Sequence, residues 1–256
     1  MISYAQNFED VMLARVFPDA SGVYVDVGAN DPVIDNVTYH FYERGWRGIN
    51  IEPQTALWEK LCAARPGDVN LAVLAGSRDG EMTFYEIETW HGLSTLDPDI
   101  AARHAAAGYA VTERRLPCRR LDGILAEHLA ERPIDFMSID AEGAEADVLA
   151  GLDLARHRPK AVVIEAMMPL MQQDRSGPAA AILEAHGYEC VYEDGLNRFF
   201  LAGEALDLKP KFRYPPNVFD GFRRRAEVMA ERELALAWAR IAQLEARIEA
   251  LTGEKP

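Results

Sequence analysis

Short apolar runs alternate along this chain with helix-patterned segments, and that alternation constrains the fold more than any other feature. The strand-like runs are Val23–Ala29, Gly48–Ile51, Val69–Ala75, Ile134–Ile139 and Ala161–Glu165. Helical periodicity is predicted between and after them, over Val37–Arg44, Thr55–Arg65, Leu121–Leu129, Ala144–Leu149 and Pro178–His186. Strands separated by helices predict βαβ units and a doubly wound, largely parallel sheet. The runs F-M-S-I-D and A-V-V-I-E are almost continuously apolar, as strands covered on both faces should be. Tyr188–Tyr192 and Arg198–Leu201, joined by E-D-G-L-N, predict an antiparallel hairpin at a sheet edge. A two-stranded insert is expected at Glu81–Ile87.

The chain divides in two on this reading. Residues 1–221 form the α/β domain, with 1–20 as an N-terminal helical cap, and 222–256 form a C-terminal helix. In that tail Leu234, Ile241 and Ile248 are spaced by seven, and Ala237, Leu244 and Leu251 hold the matching second position. The pattern fits a parallel two-stranded coiled coil, hence a homodimer or a helical partner, and it equally fits a helix packed on its own domain.

The bulk properties exclude several classes. A net charge of −14 argues against general binding to nucleic acid or anionic lipid. Arg114-Arg115 and Arg119-Arg120 could bind a local anion, but such runs more often read as solvated surface. The 3 cysteines, Cys62, Cys118 and Cys190, have neither disulfide nor zinc spacing. No apolar run is long enough to span a membrane, and M-I-S-Y-A-Q-N-F-E-D lacks the features of a secretory leader. A reduced, cytoplasmic setting is the expectation.

The ligand of an open α/β sheet sits beyond the carboxyl ends of its strands. The first strand and its loop read V-Y-V-D-V-G-A-N-D. A dinucleotide site would carry G-x-G-x-x-G here, and this loop has only Gly28. Gly28 and Ala29 leave space for a ligand to approach the backbone. The second strand ends in I-N-I-E-P, where Glu52 can accept both hydroxyls of a ribose. A nucleoside without pyrophosphate fits better than NAD, and S-adenosylmethionine (SAM) is such a ligand. Asp26 and Asp31 would suit its ammonium end. The plainer alternative has Asp26 as a buried strand residue and Glu52 as a helix-start acid before Pro53.

The segments S-Y-A-Q-N-F-E-D, Y-V-D-V-G-A-N-D, G-W-R-G-I-N-I-E-P, H-G-L-S-T-L-D, S-I-D-A-E-G-A-E and D-G-L-N-R-F-F together resemble the FkbM family of SAM-dependent methyltransferases, over about Ser3 to Phe222. The resemblance implies a class I methyltransferase fold, with a seven-stranded sheet whose last strand is antiparallel. It implies O-methyl transfer, often to sugar hydroxyls of polysaccharides or glycosylated metabolites. The Gly28-Ala29 turn would then meet the methionine part of SAM. Asn30, Pro53 and Ser77 join the expected cofactor side.

Methylating a sugar hydroxyl requires alignment and removal of a proton, by a base, a metal or both. Asp140 ends one strand, Glu142 follows, and Glu165 ends the next strand. Carboxylates gathered there repel unless protonated or bridged, so Asp140 and Glu165 are candidate ligands for Mg²⁺ or Mn²⁺. Without a metal, Asp140 or Glu142 would be the base. Glu145 reads as a helix-start acid. His91, in a loop with Ser94 and Thr95, is a further candidate base or a surface residue. Gln6, Glu9 and Asp10 fold over the site or form a solvated face, and Asn197 and Arg198 shape the final turn. Two other functions remain open at this point: a nucleotide-binding oxidoreductase, and a catalytically silent SAM-fold module that recruits a partner through the coiled coil.

Overall fold

The computed structural model describes residues 1–87, 91–130, 132–167 and 174–253, without the side chains of His91 and Thr252. In chain order the first elements are β1 (Ile2–Ser3), α1 (Glu9–Val16), β2 (Val23–Val27), α2 (Tyr39–Glu43), β3 (Arg47–Ile51), α3 (Thr55–Ala64) and β4 (Val69–Leu71). Next come β5 (Leu74–Gly76), β6 (Gly80–Glu86), α4 (Pro98–Ala106), β7 (Thr112–Arg120) and α5 (Leu121–His128). The remainder is β8 (Phe136–Ile139), α6 (Glu145–Ala150), β9 (Ala161–Glu165), α7 (Gly177–Ala185), β10 (Tyr188–Glu193), β11 (Asn197–Ala202), β12 (Arg223–Arg224) and α8 (Arg225–Thr252).

The main sheet has 7 strands in the order β10-β11-β9-β8-β2-β3-β4. It is mixed. The pairs β4–β3, β3–β2, β2–β8 and β8–β9 are parallel, and β11 runs antiparallel to both β9 and β10. The expected hairpin forms, with β10 at the edge and β11 turned inward against β9. Strand order reverses between β2 and β8, so the loops after these two strands diverge and open a crevice.

β2 shows why both faces must be covered. All 5 of its residues are buried. Val23, Val25 and Val27 pack on one side with Leu121, Ile124, Leu125 and Val148 from α5 and α6. Tyr24 points the other way, among Met12, Leu13, Phe41, Trp46 and Phe136. Phe136 is the hub of that side, with ring centroids 4.8 Å from Phe41, 5.8 Å from Trp46, 5.9 Å from Tyr24 and 6.0 Å from Phe17. Such pairs contribute about 0.5–1.5 kcal/mol each beyond area burial, and here they fasten the α1 segment to the sheet. The same face carries a buried polar knot. Arg65 reaches Asp68 at 3.0 Å, Tyr24 Oη at 2.7 Å and Thr38 Oγ1 at 2.7 Å, which keeps its buried charge compensated.

Several expectations are corrected. The run Val69–Ala75 is not one strand: β4 joins the main sheet and β5 joins a separate 3-stranded sheet of order β5-β7-β6. The insert is therefore not two-stranded. β6 pairs with β7 from Gly80↔Cys118 to Glu86↔Thr112, a partnership across some thirty residues that local pattern cannot reveal. Of the arginines of β7, Arg114 and Arg115 are exposed as expected, whereas Arg119 and Arg120 are half-buried and pair with Glu127 and Asp122. Helix α4 was not anticipated, although Asp97 caps it by accepting from the Asp99 and Ile100 amides with Pro98 in its first turn. At the expected border near residue 222, β1 pairs in parallel with β12 through Ile2↔Arg223 and Ser3↔Arg224. The ladder binds the chain start to the residues entering α8. Cys62, Cys118 and Cys190 are free thiols. Among the described residues no helix is long and apolar enough to cross a membrane.

Candidate active site

The ends of β2, β3 and β8 lie side by side because Val27 is in register with both Ile51 and Ile139. The residues that follow, Gly28, Glu52 and Asp140, therefore meet at one rim. Ile164 is in register with Ile139, which brings Glu165 to the same rim. Sequence reasoning placed these four together, and the register confirms it.

A cleft of about 580 Å³, counting its open mouth, lies over this rim. Gly28, Asn30, Glu52, Pro53 and Gln54 line one part, and Asp140, Ala141 and Glu142 another. Val73, Leu74, Ala75, Phe84 and Leu96 make an apolar wall, and Gly92 and Ser94 close the side. Val73, Leu74, Phe84 and Leu96 were missed in the sequence. Val73 directly precedes β5, Leu74 lies in it, Phe84 lies in β6 and Leu96 in the loop that follows, and their position depends on the nonlocal β6–β7 pairing.

Glu52 is buried, 3% exposed. Its Oε2 accepts from the Asn30 amide at 2.9 Å and its Oε1 from the Gln54 amide at 2.8 Å. Each oxygen keeps a further lone pair for a ligand. Burial pushes its pKa up to about 7, against the lowering effect of those two amides.

Gly28 serves a different purpose from the one its sequence suggested. Its φ is +79°, and a Cβ there would lie 1.7 Å from the carbonyl oxygen of Asp140. The space is taken by backbone, not reserved for ligand. The Gly28 and Ala29 amides donate to the Ile51 carbonyl at 2.9 and 3.1 Å. Glycine is needed here so that three strand ends can converge.

Other expected cofactor residues stand behind the cleft. Asp26 is buried and accepts from Thr38 Oγ1 at 2.7 Å. Asp31 caps its own turn by accepting from the Val33 and Ile34 amides at 3.0 Å each. Ala29 takes Asn36 Nδ2 on its carbonyl, and the Ser77 amide donates to Asp147. None of these four lines the cleft. Glu9 and Asp10 are neither solvated nor in the cleft: Glu9 accepts from Asn197 Nδ2 at 2.6 Å, and Asp10 from Ser3 Oγ at 2.8 Å. Gln6 is exposed. Asn197 shapes the β10–β11 turn through Asp194, as expected, and Arg198 pairs with Asp174 and Glu193. The His91 backbone opens a 3-10 turn, but its side chain lies outside the described residues.

The acidic cluster is the dominant electrostatic feature. Asp140 is open to the cleft although protein surrounds it. Burial, then the charge of Glu145, pushes its pKa up to about 6. Burial, followed by the charges of Asp140 and Glu142, pushes Glu165 up to about 11, so it stays protonated at neutral pH and donates to Asp140. Glu142 sits in left-handed backbone at φ +49°, with Thr95 Oγ1 donating to its carbonyl at 2.7 Å. Its Oε2 is buried without a hydrogen-bond partner, and burial raises its pKa as well. Glu145 was read only as a helix-start acid. It does cap the loop, accepting from the Ala141 and Gly143 amides at 3.0 Å each. Its carboxylate also belongs to the cluster, because oxygens of Asp140, Glu145 and Glu165 lie within 4.8 Å of one another.

A family model for the methyltransferase FkbM domain matches residues 26–190. The chain belongs to that family. The match starts after S-Y-A-Q-N-F-E-D and ends before D-G-L-N-R-F-F, so it is narrower than the span from Ser3 to Phe222. It contains Glu52, Asp140, Glu142, Glu145 and Glu165, the whole acidic rim of this chain. Among solved structures, a TehB-like SAM-dependent methyltransferase from Corynebacterium glutamicum ATCC 13032 Kitasato is similar at 10% identity, over 76% of this chain and 85% of its own, with a TM-score of 0.41. No curated protein matches the chain.

The role of Gly28 in this FkbM domain is open to a direct test. Gly28→Ala should destabilise the fold by at least about 2 kcal/mol, combining left-handed strain with the clash at Asp140. Urea denaturation measures it. Unchanged stability with lost ligand binding would return Gly28 to a ligand-facing role.

Proposed function

We propose that the protein transfers a methyl group from SAM to a hydroxyl of a sugar, in a polysaccharide or a glycosylated metabolite. The observation that carries this reading is the pairing of two unlike ends in one cleft. One end has a buried acid, Glu52, beside an apolar wall. The other has carboxylates able to hold and accept a proton.

The residues present fit SAM. Glu52 has lone pairs left for two ribose hydroxyls, and the wall from Val73 to Leu96 suits an adenine face. The single glycine of the loop offers no pyrophosphate cradle, which disfavours a dinucleotide-dependent oxidoreductase. The strand order, with β11 antiparallel between β9 and β10, agrees with a class I methyltransferase sheet. Bound there, SAM supplies a methyl group already activated by its sulfonium.

The chain's own task is then to orient the acceptor and take its proton. Asp140 is placed for this: it faces the cleft, is ionised above about pH 6, and is held by the Glu165 proton. Glu142 offers a free oxygen to orient the sugar. Activity should therefore rise with pH through about 6, because the deprotonated form of Asp140 is the working one. Asp140→Asn should lower turnover by about 10²–10⁴-fold, the usual value of a general base. Transfer of labelled methyl from SAM to glycans extracted from the source cells measures both. A silent module would transfer none, and an unchanged Asp140→Asn rate would place the chemistry outside the cluster.

The cluster also fits a hard divalent ion. Its donors are all oxygen, and Asp140 and Glu165, with Glu145 beside them, would hold Mg²⁺ or Mn²⁺. Such an ion would lower the acceptor's pKa and relieve the repulsion. It would compete with the proton on Glu165. Mg²⁺ should therefore raise the melting temperature more at about pH 8 than at about pH 5, where protons occupy the carboxylates. Equal shifts at both values, or no shift with full activity in EDTA, would exclude the metal.

A further inference from the structure

We propose that α8 is the stalk of a parallel homodimer, a second copy of this chain being the partner that covers its apolar stripe. The helix has two different parts. Its first turns lie beside β1 and β12, and Arg225, Val228, Met229 and Arg232 border a groove with Ile2, Tyr4 and Tyr39. From Glu233 to Leu251 every residue is exposed. That projecting part is about 28 Å long at the usual rise per residue.

Large apolar side chains lie open along it: Leu234 is 58% exposed, Ile241 42%, Leu244 43%, Ile248 49% and Leu251 77%. With Ala237 they occupy alternate spacings of three and four, which is one seam of the helix. The choice of packing on its own domain, left open by the sequence, does not describe this segment. A continuous seam of this size is a contact surface, whereas Leu236 and Trp238, also exposed, stand off it.

The residues flanking the seam say which partner and which direction. With Leu234, Ile241 and Ile248 at the first core position, Arg240 and Glu245 hold the two flanking positions that face each other between parallel chains. Two identical parallel helices therefore form this ion pair twice, once on each side. Antiparallel alignment of the same seam instead sets Arg240 near Arg247 of the other copy, a like-charge contact. In the single chain Arg240 donates to Gln243 Oε1 at 2.7 Å, so its guanidinium already lies along the helix surface. Ile at one core position with Leu at the other is the combination that favours two parallel strands. The seam is short, so the dimer should dissociate on dilution. The inference is independent of the reaction, because no residue of the seam lines the cleft.

Sedimentation velocity on the full chain tests it. The parent should pass from dimer to monomer over a roughly hundredfold dilution. Leu244→Glu should be monomeric throughout, with the thermal unfolding of the domain unchanged. Leu236→Glu is the control, since Leu236 is 72% exposed on the outer side of the seam, and it should dimerise like the parent. Arg240→Glu and Glu245→Arg should each weaken association, and the two together should restore it. A parent that is monomeric at every concentration would overturn the proposal and leave the seam to a different protein. A stronger dimer in Arg240→Glu would overturn the parallel arrangement, and equal effects of Leu236→Glu and Leu244→Glu would overturn the seam.

Discussion

The cleft depends on one contact between backbones. Gly28 approaches the Asp140 carbonyl so closely that a Cβ would fall 1.7 Å from its oxygen. That approach is possible because residue 28 has no side chain and takes a left-handed φ. It draws the ends of β2 and β8 together at the point where strand order reverses. The Ile51 carbonyl, shared by the Gly28 and Ala29 amides, draws in the end of β3. Glu52, Asp140 and Glu165 become neighbours as a consequence, the first two one step past their strands and Glu165 at the last position of β9.

The electrostatic character follows from that convergence. Carboxylates that end adjacent strands cannot all be ionised in a partly buried space. The fold resolves the conflict in two ways. Glu52 is held by the Gln54 amide of its own loop and the Asn30 amide of the loop after β2, and Glu145 by amides of its own loop, whereas Glu165 keeps a proton and lends it to Asp140. The first pair is thereby fixed in place, and the second shares a proton. Strain is concentrated beside it, at Glu142 with φ +49° and one unsatisfied oxygen. Functional sites are where such costs are tolerated.

Much of this was legible in the sequence, for a physical reason. Strand period and helix period are local, so the βαβ order, the terminal hairpin and the acids at the strand ends could be read directly. Asp140 and Glu165 were placed on one rim from F-M-S-I-D and A-V-V-I-E alone. What escaped reading was nonlocal. Nothing near Phe84 shows that β6 will pair with β7 and turn that ring into the wall of the cleft. Nothing in D-V-G-A-N-D distinguishes a glycine cleared for a ligand from one cleared for the Asp140 carbonyl. Asp26, near the end of β2, and Asp31, in the loop after it, looked like ligand groups because an acid carries no mark of its partners in the sequence. The structure supplies those partners in Thr38 and in the turn amides of Val33 and Ile34.

The central claim is that Glu52 holds the ribose of the methyl donor while Asp140, just past β8, and Glu165, at the end of β9, face the acceptor that receives the methyl group. A crystal structure of the full chain with S-adenosylhomocysteine, the product left after methyl transfer, tests it most directly. The account predicts both ribose hydroxyls on the Glu52 carboxylate, the adenine against Phe84 and Leu96, and the sulfur directed toward Asp140. A nucleoside bound away from Glu52, or one whose sulfur points away from the Asp140–Glu165 pair, would contradict it.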